Sequence, residues 1–168
     1  STGTYATAFY GCTGLETVAL PDGLTEIAAR AFSGCSKLVS VRLPSTLTSI
    51  GEYAFYDCKA LADVVVPEKI TTLSRSLFAG CTGLKSVTIP AGVKTIDSGA
   101  FNKCSALESI ELPEGLTTLG SQAFMNCSAL KSVRIPDGVT AIPNETFAYC
   151  SVLETVELPS ALKTIGNM

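Results

Sequence analysis

The sequence predicts a solenoid, either mainly β or of α/β type, because one 23-residue unit recurs along the whole chain. Repeat periods of about 20–50 residues are typical of solenoids, in which each unit buries its faces only against its neighbours. Hydrophobic residues make up 46% of the 168 residues and charged residues only 16%, which favours one continuous core. We therefore predict a single domain over residues 1–168 that contains about seven stacked coils.

The repeat is clearest in the aromatic and thiol residues. All seven Phe residues keep the 23-residue step: Phe9, Phe32, Phe55, Phe78, Phe101, Phe124 and Phe147. All seven Cys residues keep it too: Cys12, Cys35, Cys58, Cys81, Cys104, Cys127 and Cys150. This even spacing favours a ladder of small buried hydrophobic side chains, with bridges between neighbouring coils as the alternative. The chain has no His and no Cys-x-x-Cys pair, so we expect neither a metal site nor a cofactor.

Each coil contains one segment with the alternation of a half-buried strand. Val41 and Leu43 lie two residues apart and point to one side, whereas Ser40 and Arg42 point to the other. Pro44, repeated every 23 residues, ends the strand because it has no N–H for the ladder. Stacking the coils would then place these strands in a parallel ladder with a spacing of about 4.8 Å.

The rest of each coil is predicted to return to the start of the next strand. Leu47 and Ile50 are expected to anchor a short return segment on the core. Phe32, Cys35 and Leu38 lie three residues apart, and this spacing predicts a short helical or 3₁₀ turn. The predicted coil thus has a strand on one side and turns or short helical pieces on the other.

The outward side of the predicted strands is the candidate binding surface. Its candidate residues are Val39, Arg42, Val65, Lys85, Glu108, Glu111, Lys131, Arg134, Glu154 and Glu157. Neighbouring strands carry charges of alternating sign, as in the series Lys85, Glu108, Lys131, Glu154. The face is either a binding floor or a set of charges that neutralise one another and hold the register. The second interpretation is favoured because no aromatic side chain projects from the face, and tight interfaces favour Trp, Tyr and Arg.

Four Tyr residues fall around the Phe-containing turns instead: Tyr10, Tyr53, Tyr56 and Tyr149. They are predicted either to pack against a neighbouring turn or to form a secondary contact edge.

The composition argues against several classes of function. Without His the commonest general base is missing, and the chain has no phosphate-binding glycine loop, so we predict that it is not an enzyme. Twelve basic and 15 acidic residues give a net charge of −3, which offers no bulk attraction for nucleic acid. No apolar run reaches the length of about 18 residues that favours a membrane span.

The ends of the chain differ from its interior. Ser1 and Thr4 stand where the next coil has the anchors Leu24 and Ile27, and the chain stops at Met168, just before another Ala-Phe pair is due. Solenoids need polar capping repeats at their ends. We therefore expect a fragment of a longer protein with uncapped ends, or end-to-end self-association. No charged-then-apolar leader opens the chain, so a secretion signal would lie outside it.

The repeat resembles the BspA-like leucine-rich repeat family, also called the Treponema pallidum type. The family pattern is C-x-x-L-x-x-I-x-I/L-P-x-x-L/V-x-x-I-x-x-x-A-F. It appears here as Cys35, Leu38, Val41, Leu43, Pro44, Leu47, Ile50, Ala54 and Phe55. Small departures are Leu77 and Thr146 in place of the Ala before Phe, and Pro143 at the position of Gly51.

This resemblance implies a leucine-rich repeat right-handed superhelix with a parallel β-sheet on its concave face. It also implies a secreted or surface-anchored microbial protein that binds host or matrix proteins and promotes adhesion, without catalytic residues or cofactors. The alternative is a structural spacer or a self-associating array that holds other domains away from a cell. Fold alone does not decide between the two.

Overall fold

A computed structural model describes residues 8–166, and the expectations for Ser1 and Thr4 lie outside that range. The chain winds into stacked coils, numbered here from 1 to 7. Their described ranges are 8–27, 28–50, 51–73, 74–96, 97–119, 120–142 and 143–165. The predicted solenoid of parallel strands is confirmed.

The predicted strand of each coil forms one ladder, which we call the strand face. Its strands are β1 (Thr17–Val18), β3 (Ser40–Val41), β5 (Asp63–Val65), β7 (Ser86–Thr88), β10 (Ser132–Arg134) and β12 (Thr155–Glu157). The pairs are β1 with β3, β5 with β7 and β10 with β12, and coil 5 contributes only a parallel bridge from Ser109 to Ser132, without a pair to β7. Strands keep the 23-residue register, as in the pairing of Val64 with Val87, so inward residues stack on inward residues.

The return segment, for which the sequence predicts only a short stretch anchored by residues such as Leu47 and Ile50, is a second parallel ladder. Its strands are β2 (Glu26–Ile27), β4 (Ser49–Ile50), β6 (Thr72–Leu73), β8 (Thr95–Ile96), β9 (Thr118–Leu119), β11 (Ala141–Ile142) and β13 (Thr164–Ile165). In most of these strands an outward Ser or Thr precedes the inward Ile or Leu, and β-branched residues favour extended backbone. We call this set the return ladder.

The Phe-containing segment is a run of turns, and the predicted short helix or 3₁₀ turn is wrong: residues 8–166 contain no helix. Backbone bonds between coils replace bonds within a helix; for example, the Phe32 N–H donates to the Ala54 carbonyl oxygen at 2.9 Å. Two positions of this turn have positive φ in coil after coil, such as Arg30 at 60° and Gly34 at 78°. No helical segment with the length and apolarity needed to cross a bilayer occurs in the described range.

A column of Phe rings and a column of thiols run through the core. Successive Phe rings stack with centroids 5.2 to 5.8 Å apart, and Phe55, Phe78, Phe101 and Phe124 are fully buried. All seven Cys residues are free thiols: the five from Cys35 to Cys127 form a buried ladder, Cys150 is half-buried and Cys12 is exposed. Each thiol from Cys35 onwards donates to a Phe carbonyl oxygen of the preceding coil, at 3.1 to 3.3 Å. Burial raises the pKa of the Cys58 thiol to about 12, which keeps it protonated as a donor.

The junction between coils 2 and 3 is interrupted on both ladders. Neither β3 and β5 nor β4 and β6 are paired, and among the described coils this is the one junction without a strand pair or bridge on either ladder. On the return ladder the Ser74 hydroxyl donates to the Ile50 carbonyl oxygen at 2.5 Å. The turns stay joined here by backbone bonds such as Gly34 N–H to the Tyr56 carbonyl oxygen at 2.7 Å.

A second interruption, between β9 and β11, has a covalent cause. After four return strands the next residue donates its N–H to the preceding return strand, as Gly51 does to Ile27 and Gly120 does to Ile96. Pro143 occupies this position in coil 7 and has no N–H to donate. The departure from the family pattern at Pro143 therefore removes one bond of the return ladder.

Candidate functional site

The strand face presents all ten predicted candidate side chains to solvent. They are Val39, Arg42, Val65, Lys85, Glu108, Glu111, Lys131, Arg134, Glu154 and Glu157, and each is exposed. The two valines are the unusual members, because Val39 is 49% exposed and Val65 is 67% exposed. Scattered apolar residues are ordinary on a surface, so their significance depends on what surrounds them.

The C-terminal half of the strand face neutralises its own cations. The Lys131 ammonium lies 2.9 Å from a Glu108 carboxylate oxygen. The Arg134 guanidinium bonds Glu114 on one side and lies 3.9 Å from Glu157 on the other. The hydrogen bond from Lys131 lowers the pKa of the Glu108 carboxyl, and the same bond raises the pKa of Lys131. Neither cation is left without a partner on this half of the face.

Arg42 occupies in coil 2 the position that Arg134 occupies in coil 6, but its surroundings differ. Asp22 and Val65 stand at the positions of the two carboxylates that hold Arg134. Within residues 8–166, Arg42 makes no ion pair, because Asp22 is not within reach and Val65 carries no charge. An exposed guanidinium without a carboxylate keeps its five donors for an external group.

A cavity of about 540 Å³ opens beside Arg42, between coils 2 and 3. Ser40 and Arg42 line it from one coil, and Asp63, Val65 and Glu68 line it from the next. It coincides with the junction at which β3 and β5 are not paired. This volume is within the range of about 300–1,000 Å³ seen for ligand pockets. The interrupted ladder and the cavity therefore lie at the same junction, between coils 2 and 3.

The structure brings together only some of the predicted residues. Arg42 and Val65 line the cavity from adjacent coils, and Val39 is not among its lining residues. Lys85, Glu111 and Glu154 make no ion pair with any described residue. The predicted alternation of charge is therefore complete only around Lys131 and Arg134. Sequence reasoning missed Asp63 and Glu68 as lining residues. The available signal was the lack of a charged partner 23 residues after Arg42, where Arg134 has Glu157.

The repeat matches a known family model along nearly its whole length. The model described as the BspA type leucine-rich repeat region matches residues 3–105 and 72–168, in six copies where the sequence predicts about seven coils. No curated protein matches the chain.

The chain resembles several solved structures, among them the following three. A leucine-rich repeat protein from Bacteroides ovatus is 30% identical with a TM-score of 0.74, and the match covers 89% of this chain and 47% of that one. A leucine rich cell surface protein from Faecalibacterium prausnitzii is 28% identical with a TM-score of 0.70, covering 95% and 52%. The Treponema pallidum leucine-rich repeat protein is 32% identical with a TM-score of 0.64, covering 95% and 64%.

The chain therefore spans between 47% and 64% of the length of these three proteins. They are repeat proteins, and no enzyme family is indicated. The 23-residue pattern, the parallel coils and the family model agree, and the chain belongs to the BspA-type leucine-rich repeat family.

Proposed function

We propose that this chain is a non-catalytic, extracellular protein-binding module that serves in adhesion, and that it binds through the strand face of coils 2 and 3. The family fits a protein-binding repeat module, and one similar structure is described as a leucine rich cell surface protein. The observation that carries the proposal is the unpaired Arg42 together with the exposed Val65 in the lining of the cavity.

The chemistry of this site suits a protein surface better than a small charged ligand. One cation, Arg42, and two carboxylates, Asp63 and Glu68, line the same cavity as the exposed Val65. An apolar centre with a charged rim is the usual anatomy of protein interfaces, and Arg is among the residues that dominate their energetics. The partner we expect is a host or matrix protein with an apolar contact and a carboxylate for Arg42.

The test is binding of the purified chain to an array of extracellular-matrix and serum proteins at physiological salt, followed by two matched variants. Arg42→Gln and Arg134→Gln remove the same charge from the same repeat position. Loss of a central interface Arg weakens binding by about tenfold or more. We therefore expect Arg42→Gln to lose about tenfold in affinity and Arg134→Gln to change it by less than about threefold, because Arg134 is already neutralised.

Equal loss in the two variants would contradict the proposed site, because it would show that bulk charge alone governs binding. A signal that disappears between low and physiological salt would contradict it for the same reason. An enzyme assay is a further check: turnover that a single carboxylate substitution abolishes would contradict the non-catalytic assignment.

A second candidate function is a structural spacer or self-associating array, and the ion pairs of the C-terminal half favour it. A face whose charges neutralise one another has little attraction for a partner. Absence of binding to every protein of the array would favour the spacer. A molecular mass that rises with protein concentration in sedimentation equilibrium would favour self-association.

A further inference from the structure

Two Tyr residues of coil 3 form a cluster that the core does not need. Tyr53 and Tyr56 lie on either side of the buried Phe55, and their ring centroids are 5.8 Å apart with the planes tilted by 59°. The Arg30 guanidinium of coil 2 lies 4.5 Å from the centre of the Tyr53 ring. We call Arg30, Tyr53 and Tyr56 the aromatic corner.

The other coils show that the turn does not require these side chains. At the position of Tyr53 they carry Arg30, Ser76, Gly99, Gln122 and Glu145, and all of these have positive φ like Tyr53 itself. At the position of Tyr56 they carry Tyr10, Ser33, Ala79, Asn102, Met125 and Ala148. The backbone bonds of the turn are the same in coil 4, where Ser76 and Ala79 are found.

Tyr53 also has a strained backbone conformation. Its φ is 59°, a region in which a bulky aromatic residue is strained and Gly99, at 66°, is not. Arg30 is held over the ring, which orders a long side chain before any partner arrives. A strained aromatic residue that is stacked under a cation, with Tyr56 still 36% exposed beside it, has the composition of an interface hot spot.

The charge around the corner selects the kind of partner. The three turns at residues 28–37, 51–60 and 74–83 carry four basic residues and two acidic ones. The corresponding turns of coils 5 to 7, at residues 97–106, 120–129 and 143–152, carry one basic residue and two acidic ones. These three turns therefore carry a net charge of +2 within a chain whose net charge is −3.

We propose that the aromatic corner is a second protein-binding surface, separate from the strand face, and that it takes an acidic extended segment of a partner protein. Carboxylates of the segment bind Arg30 and its basic neighbours, and apolar side chains pack on Tyr53 and Tyr56. The contribution of the rings distinguishes this surface from a site for a sulfated polysaccharide, which would depend on charge alone and weaken with salt.

The probes are two fluorescein-labelled ten-residue peptides, one alternating Glu and Leu and the other alternating Lys and Leu, followed by fluorescence anisotropy at physiological salt. The test variant is Tyr53→Ser with Tyr56→Ala, which copies the residues that coil 4 carries in the same turn. The control is Tyr149→Ser. Tyr149 is 71% exposed and, like Tyr53, has a positive φ. Circular dichroism spectra of both variants check that the solenoid is intact.

We expect saturable binding of the acidic peptide, at least about tenfold tighter than that of the basic peptide, and a loss of about tenfold in the double Tyr variant. The Tyr149→Ser variant should bind like the parent, and a loss in the double Tyr variant, which leaves Arg42 and the strand face unchanged, separates this surface from the strand face. Equal binding by all variants would overturn the proposal, as would no binding of the acidic peptide. Binding of dextran sulfate that survives the loss of both Tyr rings, without peptide binding, would also overturn it. If the double variant unfolds, Tyr56→Ala alone must show a loss of threefold or more.

Discussion

Arg42 and Arg134 are the same residue at the same position of the repeat, yet one is unpaired and the other is held between two carboxylates. The cores beneath them are alike, with fully buried Phe rings in coils 3 to 6 and thiol donors throughout. The two halves of the solenoid therefore share an interior and differ in what the strand face carries. In a repeat protein the shared residues specify the fold, and the residues that vary between coils are where function is to be sought.

The largest expected effect is a loss of stability, and it tests whether the two halves of the solenoid have the same core packing. Phe78→Ala and Phe101→Ala lie on either side of the middle of the chain and each deletes a fully buried ring. Each should lower the free energy of unfolding by about 3–5 kcal/mol in urea denaturation, because the stacked column cannot collapse onto the space left behind. The control, Tyr149→Ala, deletes an exposed ring. A melt of either Phe variant that matches the parent would contradict the packing.

The second prediction exchanges the residues that stand next to Arg42 and Arg134 on the adjacent coil. Val65→Glu places a carboxylate beside Arg42 as Glu157 stands beside Arg134, and Glu157→Val does the reverse. Val65→Glu should weaken binding of an array partner by about tenfold, because it removes the apolar contact and neutralises Arg42. Glu157→Val should leave that affinity unchanged. Equal effects of the two substitutions on affinity would show that the halves do not differ as binding surfaces.

The third prediction concerns the interrupted junction. Ser74→Ala removes the hydroxyl that donates to the Ile50 carbonyl oxygen and so joins the residue after β6 to β4, although β4 and β6 are not paired as strands. The expected loss is about 1 kcal/mol of unfolding free energy, typical of a single hydrogen bond. Ser45→Ala, at an exposed Ser without a recorded hydrogen bond, is the control. Amide hydrogen exchange should also be faster across β6 in the variant than across β8, and equal rates would count against the assigned role.

The smallest expected effect is the pH dependence of stability that comes from the exposed Glu108–Lys131 ion pair. The pKa of Glu108 is lowered by Lys131, so this pair stabilises the fold above pH 4.5, the ordinary value for Glu, and loses that contribution as the pH falls through the lowered pKa. The pKa of Lys131 is raised, so the contribution is also lost as the pH rises above 10.5 through the raised value. An NMR titration of the Glu108 carboxyl in the parent and in Lys131→Gln checks this. An unchanged titration midpoint would show that the pair is not formed in solution.

The sequence was sufficient for the fold because spacing alone identifies inward residues such as Val41 and Ile50. The return ladder was missed because Ser49–Ile50 is only two residues long, and a two-residue alternation is too short to tell a strand from a turn. The ten candidate residues are all exposed, and their role in binding stays a prediction. Which of them pair was not predictable, because that depends on side-chain reach: Arg134 bonds Glu114, 20 positions away, and not only its strict neighbour at 23 positions.

The unpaired ladders between coils 2 and 3 also have a mechanical consequence. A protein pulled along its solenoid axis comes apart where neighbouring coils share the fewest directional bonds, since those bonds must rupture before the chain can extend. At this junction neither ladder has a strand pair, and the coils are held by the backbone bonds of the turns, by one bond from the Ala62 N–H to the Val39 carbonyl oxygen, and by the Ser74 hydroxyl. Under tension applied between residues 8 and 166, we expect coils 1 and 2 to peel away first and coils 3 to 7 to stay wound. Such a protein would lengthen in a defined step under load while the rest of its surface kept its shape.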